Sequence, residues 1–135
     1  MHLKIRSDFV TNSSSSSFII ARHKDCTTDE VRSMLNEHRG HIKHLLMIYN
    51  GYLGCSAMDE IKEAYDDANF DKAIDLSIEC LVKELAYDGY STMKLDDWTV
   101  SSEYGSNEDG YLFGSMLYEY GYDMDTEHLR IMIGD

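Results

Sequence analysis

Proline is absent from this chain of 135 residues, and glycine is limited to nine. Nothing in it reads as a Pro-rich or Gly-rich linker between two domains, and the length suits one domain. No stretch approaches the roughly 18 consecutive apolar residues that a membrane helix requires. The opening MHLKIRSDFVTNSSSSS has no uninterrupted apolar core of the kind a secretory signal carries. Cysteine is sparse: Cys26, Cys55 and Cys80 are odd in number, widely spaced and without a CxxC. A disulfide framework is therefore not expected, and reduced thiols in a cytosol fit the pattern. Neither a phosphate-binding P-loop nor a GxGxxG turn is present.

What the chain has in excess is negative charge, −13 in total. That charge is segregated. Residues 1–58 hold seven Lys/Arg against five Asp/Glu, and residues 59–135 hold five against twenty, giving +2 and −15. His2, His23, His38, His41 and His44 also fall in the first part. Such asymmetry bears on partners more than on fold. Hydrophobic residues make up 43% of the chain, a globular share that predicts a packed core rather than disorder.

Local patterns predict interleaved strands and helices. Phe18 to Ala21 is the strongest N-terminal strand signal. Thr27-Thr28-Asp29-Glu30 resembles a capping box, followed by Val31, Met34, Leu35 and His38 at helical spacing, with Gly40 as the stop. Leu45 to Tyr49 reads as a buried strand ending in an Asn50-Gly51 turn. Ser56 is placed to cap a helix through Ala57, Ile61, Ala64 and Tyr65. A stronger helix spans about residues 71–87, with Ile74, Ile78, Leu81, Val82 and Leu85 as its apolar stripe. Residues 97–103 and 127–133 read as strands and 111–120 as a helix. The expected architecture is α+β: a single compact domain whose small mixed or antiparallel sheet is packed by about four helices. Residues 1–17 are expected to form a Ser-rich arm and residues 18–135 the acidic domain.

The segment KIRSDFVTNSSSSSFII is the least ordinary part of the chain. Lys4, Arg6, Phe9, Val10, Thr11, Asn12, the run Ser13 to Ser17 and Phe18 resemble a leader-like signature of short uncharacterised proteins from bacteria and their phages. Asp8 stands where that signature more often has glycine. The resemblance covers residues 4–18 and implies a phage or mobile-element origin without naming an activity. Consecutive serines are poor helix formers because each hydroxyl competes for nearby backbone groups.

Several constellations invite chemistry and are weighed against plainer readings. His38, His41 and His44 form HxxHxxH, a weak metal candidate since Gly40 interrupts it and no cysteine or carboxylate pair completes a zinc set. The plainer reading is a basic helix end. Ser91-Thr92-Met93-Lys94 matches S-x-x-K but has no partner motif and reads as a loop. Cys80 reads as core, whereas Cys26 and Cys55 border helix starts where a thiolate is stabilised. The acid pairs Asp66-Asp67, Asp96-Asp97 and Glu108-Asp109 are what so acidic a sequence produces anyway, and no EF-hand series is present. No cofactor is implied, and no catalytic residue stands out.

The remaining pattern interleaves tyrosines with acids. Glu103, Tyr104, Glu108, Asp109, Tyr111, Tyr118, Glu119, Tyr122, Asp123 and Asp125 are the expected partner-binding residues, since tyrosine favours interfaces and carboxylates favour a basic partner. The expected function is non-enzymatic: an acidic phage-type protein in the host cytosol that binds and inhibits a basic, nucleic-acid-handling host protein. An anti-CRISPR or other anti-defence inhibitor, acting by nucleic-acid mimicry, is its concrete form. Direct nucleic-acid binding is opposed by like charge, and no membrane association is expected. The alternatives are a small metal- or nucleotide-dependent enzyme and a phage assembly accessory protein.

Overall fold

A computed structural model describes residues 15–86, 92–107 and 110–133. In chain order these form β1 (Ser15–His23), α1 (Thr28–Asn36), α2 (Arg39–Ile48), α3 (Met58–Asp66), α4 (Phe70–Ala86), β2 (Thr92–Leu95), β3 (Trp98–Ser106), α5 (Leu112–Tyr120), a 3-10 turn (Gly121–Asp123) and β4 (Leu129–Ile133). The architecture is α+β: five helices and a four-stranded antiparallel sheet in the order β2-β3-β1-β4. Among the described residues no helix is long and apolar enough to cross a membrane.

The helix starts follow the local chemistry in part. Thr27 caps α1, its hydroxyl oxygen accepting the Glu30 amide at 3.1 Å, and Asp29 and Glu30 sit in the first turn where the helix dipole favours acids. Three readings need correction. Gly40 does not stop a helix but lies in the first turn of α2, and residues 45–48 are helical rather than a strand. Burial of Ile42, Leu45 and Leu46, with Met47 and Ile48 exposed, has the period of a helix packed on one side. Ser56 does not cap α3 either: Ala57 occupies that position without a side-chain cap. The Asn50-Gly51 turn is present, both residues having positive φ, and a Cβ on Gly51 would stand 2.8 Å from the Tyr65 side chain.

Residues 92–94 of the S-x-x-K segment belong to β2, paired with β3, while Ser91 lies outside the described residues. β1 opens at Ser15, so part of the serine run enters the ladder, Ser16 opposite Gly105 and Ser17 opposite Tyr104. The reading of residues 1–14, including positions 4–14 of the signature that spans 4–18, lies outside the described residues.

Strand alternation gives the sheet two unlike faces. On one face Phe18, Ile20, Leu129 and Ile131 are buried against the helices, Phe18 meeting α5 beside Gly105 and Leu117. Arg22 lies on this face too, its Nε donating to the Leu85 carbonyl near the end of α4 and its Nη1 reaching Ser101 Oγ at 3.4 Å. Burying a guanidinium demands such partners. The core continues through Leu35, Leu46, Ile61, Leu81 and Met116, all fully enclosed.

Folding partly undoes the charge segregation. Arg32 grips Glu79 of α4 through Nε–Oε2 at 2.6 Å and Nη2–Oε1 at 2.9 Å, and Arg39 meets Asp75 at 2.7 Å and Asp71 at 3.7 Å. The basic residues of the first half thus answer the acids of α4. On α3 the situation differs: Lys62 pairs with Asp66 at 2.6 Å, while exposed Asp59, Glu60 and Glu63 enter no ion pair among the described residues.

Candidate functional site

Among the described residues, the second sheet face carries several exposed large side chains. By the registers, Met93 lies beside Val100, Val100 beside Ala21, and Ile19 between Ser102 and Met132, with Leu95 beside Trp98 at one end and Tyr104 at the other. Met93, Leu95, Tyr104 and Met132 are 55%, 53%, 65% and 48% exposed. Single exposed apolar side chains are ordinary on a protein surface, but here several share one face, interspersed with the exposed Ser17, Ser102 and Arg130.

Of the expected partner-binding residues that are described, only Tyr104 belongs to this face. Glu103 points to the opposite, helix-covered face, where burial first and then Glu84 push its carboxyl above the usual range. Tyr111 is drawn to the same region: its hydroxyl donates to Glu84, and burial followed by that carboxylate raises its pKa. Tyr118 and Glu119 are half-buried on the second half of α5. Asp123 and Asp125 are exposed beyond it, and Asp125 Oδ1 accepts the Ile131 amide at 2.8 Å, tying the loop to β4. Glu108, Asp109 and the Tyr122 side chain lie outside the described residues.

The three histidines of HxxHxxH are not equivalent. His38 precedes α2, and its Nε2 meets the Asp123 carbonyl at 3.1 Å, so that nitrogen carries the proton. Its Nδ1 is 3.1 Å from His41 Nδ1, and the His41 ring stacks on Tyr120 with centroids 3.9 Å apart. Both nitrogens of His38 are thereby occupied by hydrogen bonds, and His44 is exposed on α2. A metal at this place would have to break these bonds first.

A cavity of about 380 Å³ lies between α4, the start of α5 and the segment before α3, lined by Cys55, Ser56, Cys80, Lys83, Glu84 and Tyr111 among others. Its walls are pinned by the backbone. Gly54 N–H donates to Gly110 at 2.7 Å and Leu112 N–H to Gly54 at 3.1 Å, fastening the strand-like segment before α3 to the start of α5. Cys80, on the buried stripe of α4, reaches the wall with its sulfur 3.6 Å from Ser56 Oγ. A hydrogen bond from the Cys55 thiol holds Cys80 well below the ordinary thiol value, against the opposing effect of burial; Ser56, the Ala57 amide and Lys83 act in the same direction as Cys55. Cys55 is shifted upward by the same bond and by burial, so within this pair Cys80 is the sulfur biased toward the thiolate and Cys55 the one biased toward the thiol. Such a thiolate can act as a nucleophile or a soft metal ligand. Cys26, half-buried beyond β1, is raised instead by burial and by Glu30.

The sequence placed Cys55 near a helix start and Cys80 in a core, and both placements hold. Their meeting follows from the packing of α3 against α4, which no spacing announces.

Comparison with known protein families, curated proteins and solved structures finds nothing that matches this chain.

Proposed function

We propose that this chain is a non-enzymatic interaction protein that docks a basic protein partner through the second face of its sheet. The observation that carries this reading is the exposure of Met93, Leu95, Tyr104 and Met132 on that face. Covering apolar surface releases about 25 cal/mol per Å², so covering these side chains favours association once a complementary surface arrives. Methionine and tyrosine adapt well to such a role, the first through flexibility and the second through large contact area.

The chemistry of the partner is supported by charge. A net charge of −13 and the exposed carboxylates of Asp59, Glu60 and Glu63 on α3 favour a basic surface and accelerate its approach. A protein that handles nucleic acid carries that kind of surface, and fixed carboxylates occupy the place of phosphates. The signature from Lys4 to Phe18 supports a phage or mobile-element setting. The concrete form of the reading is therefore an inhibitor of a host defence protein, such as an anti-CRISPR. Capture from host cells with wild-type bait and with a Met93→Ser, Leu95→Ser, Met132→Ser bait tests it. The first should retain a basic partner that the second loses while keeping its helical spectrum; equal retention rejects the sheet face as the docking surface.

A second reading, a small thiol-dependent enzyme, is supported by the Cys55–Cys80 pair in its cavity. Loss of the biological effect in Cys80→Ser with partner capture intact would favour it over the first.

A further inference from the structure

Where β1 leaves the sheet it brings together side chains from three separate parts of the chain. The His23 amide donates to the His128 carbonyl at 2.9 Å, and this backbone link sets the two imidazole centroids 5.2 Å apart. Asp25, two residues beyond His23, turns back on it: its amide donates to His23 Nδ1 at 3.1 Å, and its carboxylate Oδ2 lies 3.6 Å from the same nitrogen. His23, Asp25 and His128 each offer one donor atom, all within 4.8 Å of one another. Tetrahedral bonds of roughly 2.0–2.2 Å place ligand atoms roughly 3.3–3.6 Å apart, so the three side chains close inward on one ion by small rotations.

The surrounding groups orient the His128 ring for ligation, while an ion held by either nitrogen of His23 would displace the Asp25 amide from Nδ1. Glu30 of α1 accepts a hydrogen bond from His128 Nδ1 at 2.8 Å, and its second oxygen accepts the His128 amide at 3.0 Å and the Thr126 hydroxyl. The ring is thereby fixed with Nδ1 protonated, which leaves Nε2 as the nitrogen with a free lone pair. A carboxylate behind a ligating imidazole is the usual means of orienting it and raising its basicity. On the other side Trp98 meets the His23 ring edge-on, with centroids 5.1 Å apart. The two histidines are half-buried and Asp25 is exposed, so water has access to complete the coordination.

We propose that His23, Asp25 and His128 form a binding site for one divalent first-row transition ion, with Glu30 as a positioning residue. Two imidazoles and one carboxylate select such ions over magnesium or calcium, which prefer oxygen ligands. The site is separate from HxxHxxH and from the thiol cavity, and it stands independently of the docking surface.

Zinc and cobalt titrations of the full reduced chain test the assignment. One ion should bind per chain, and the cobalt form should show ligand-field bands without a thiolate charge-transfer band. His23→Ala and Asp25→Ala, which leave the Glu30–His128 link intact, should each weaken zinc binding by about tenfold or more, and Glu30→Gln by about tenfold. Cys55→Ala with Cys80→Ala should leave it unchanged. Retention of full affinity in His23→Ala and Asp25→Ala, loss of binding in the cysteine variant, or no stoichiometric zinc binding by the wild-type chain would each overturn the proposal.

Discussion

Glu103 and Tyr104 are consecutive residues of β3 that face opposite sides of the sheet. Glu103 stands across the ladder from Phe18 on the helix-covered face, whereas Tyr104 stands opposite Ser17 on the other. A pair that reads in sequence as one acid–aromatic unit is thus divided between the interior and a candidate interface.

The interior position of Glu103 has a consequence for pH dependence. Its folded pKa lies above the reference value of 4.5, because burial and Glu84 disfavour the charged form. The folded state therefore keeps the proton longer than the unfolded chain, and stability falls as pH rises from about that reference through the folded value. Glu103→Gln should melt higher than wild type at neutral pH by a modest margin. The difference should close below the reference value, and thermal melts of the two proteins across pH give the comparison.

Gly105, next in the strand, faces the same interior. A Cβ there would stand 2.5 Å from Phe18 Cε2 and 3.1 Å from Leu117 Cβ, and Phe18 is fully enclosed with nowhere to retreat. Gly105→Ala should cost roughly 1–3 kcal/mol. Chemical denaturation would show a lowered midpoint with an unchanged slope.

The thiols should differ in reactivity. At neutral pH Cys80 should alkylate faster than Cys26 with a reagent small enough to enter the cavity, since its thiolate is favoured and that of Cys26 is not. Cys55→Ala removes the largest stabilising hydrogen bond and should move the onset of Cys80 reactivity to higher pH. Residue-resolved mass spectrometry after timed iodoacetamide exposure separates the sites.

The bidentate contact of Arg32 with Glu79 couples α1 to α4 across the surface. Both side chains meet solvent, so the coupling in a double-mutant cycle should be small and favourable. It should vanish near 1 M salt, where the Debye length is about 3 Å.

Much of the architecture was legible because local chemistry and global packing agree there. The Thr27 cap, the stripe Ile74, Ile78, Leu81, Val82 and Leu85, and the strands around Phe18, Val100 and Ile131 each carry a period that one buried face imposes. α2 was misread because Leu45 to Ile48 is a short apolar run, which fits a buried strand or a helix segment equally. Residues 92–95 were missed because an edge strand with exposed Met93 and Leu95 has no alternation toward a core. The sites were harder still. Cys55 meets Cys80 only through helix packing, and His23 meets His128 only through the β1–β4 ladder, so neither pair leaves a spacing to find.

The most direct test of the docking account is the affinity of the captured basic partner for wild-type chain and for the Met93→Ser, Leu95→Ser, Met132→Ser variant. The account predicts a loss of at least about tenfold, since that corresponds to only 1.4 kcal/mol of covered apolar surface. It also predicts that charge reversal at Asp59, Glu60 and Glu63 slows association without matching that loss. Equal affinity of the wild-type and sheet-face variant proteins, both folded, would contradict it.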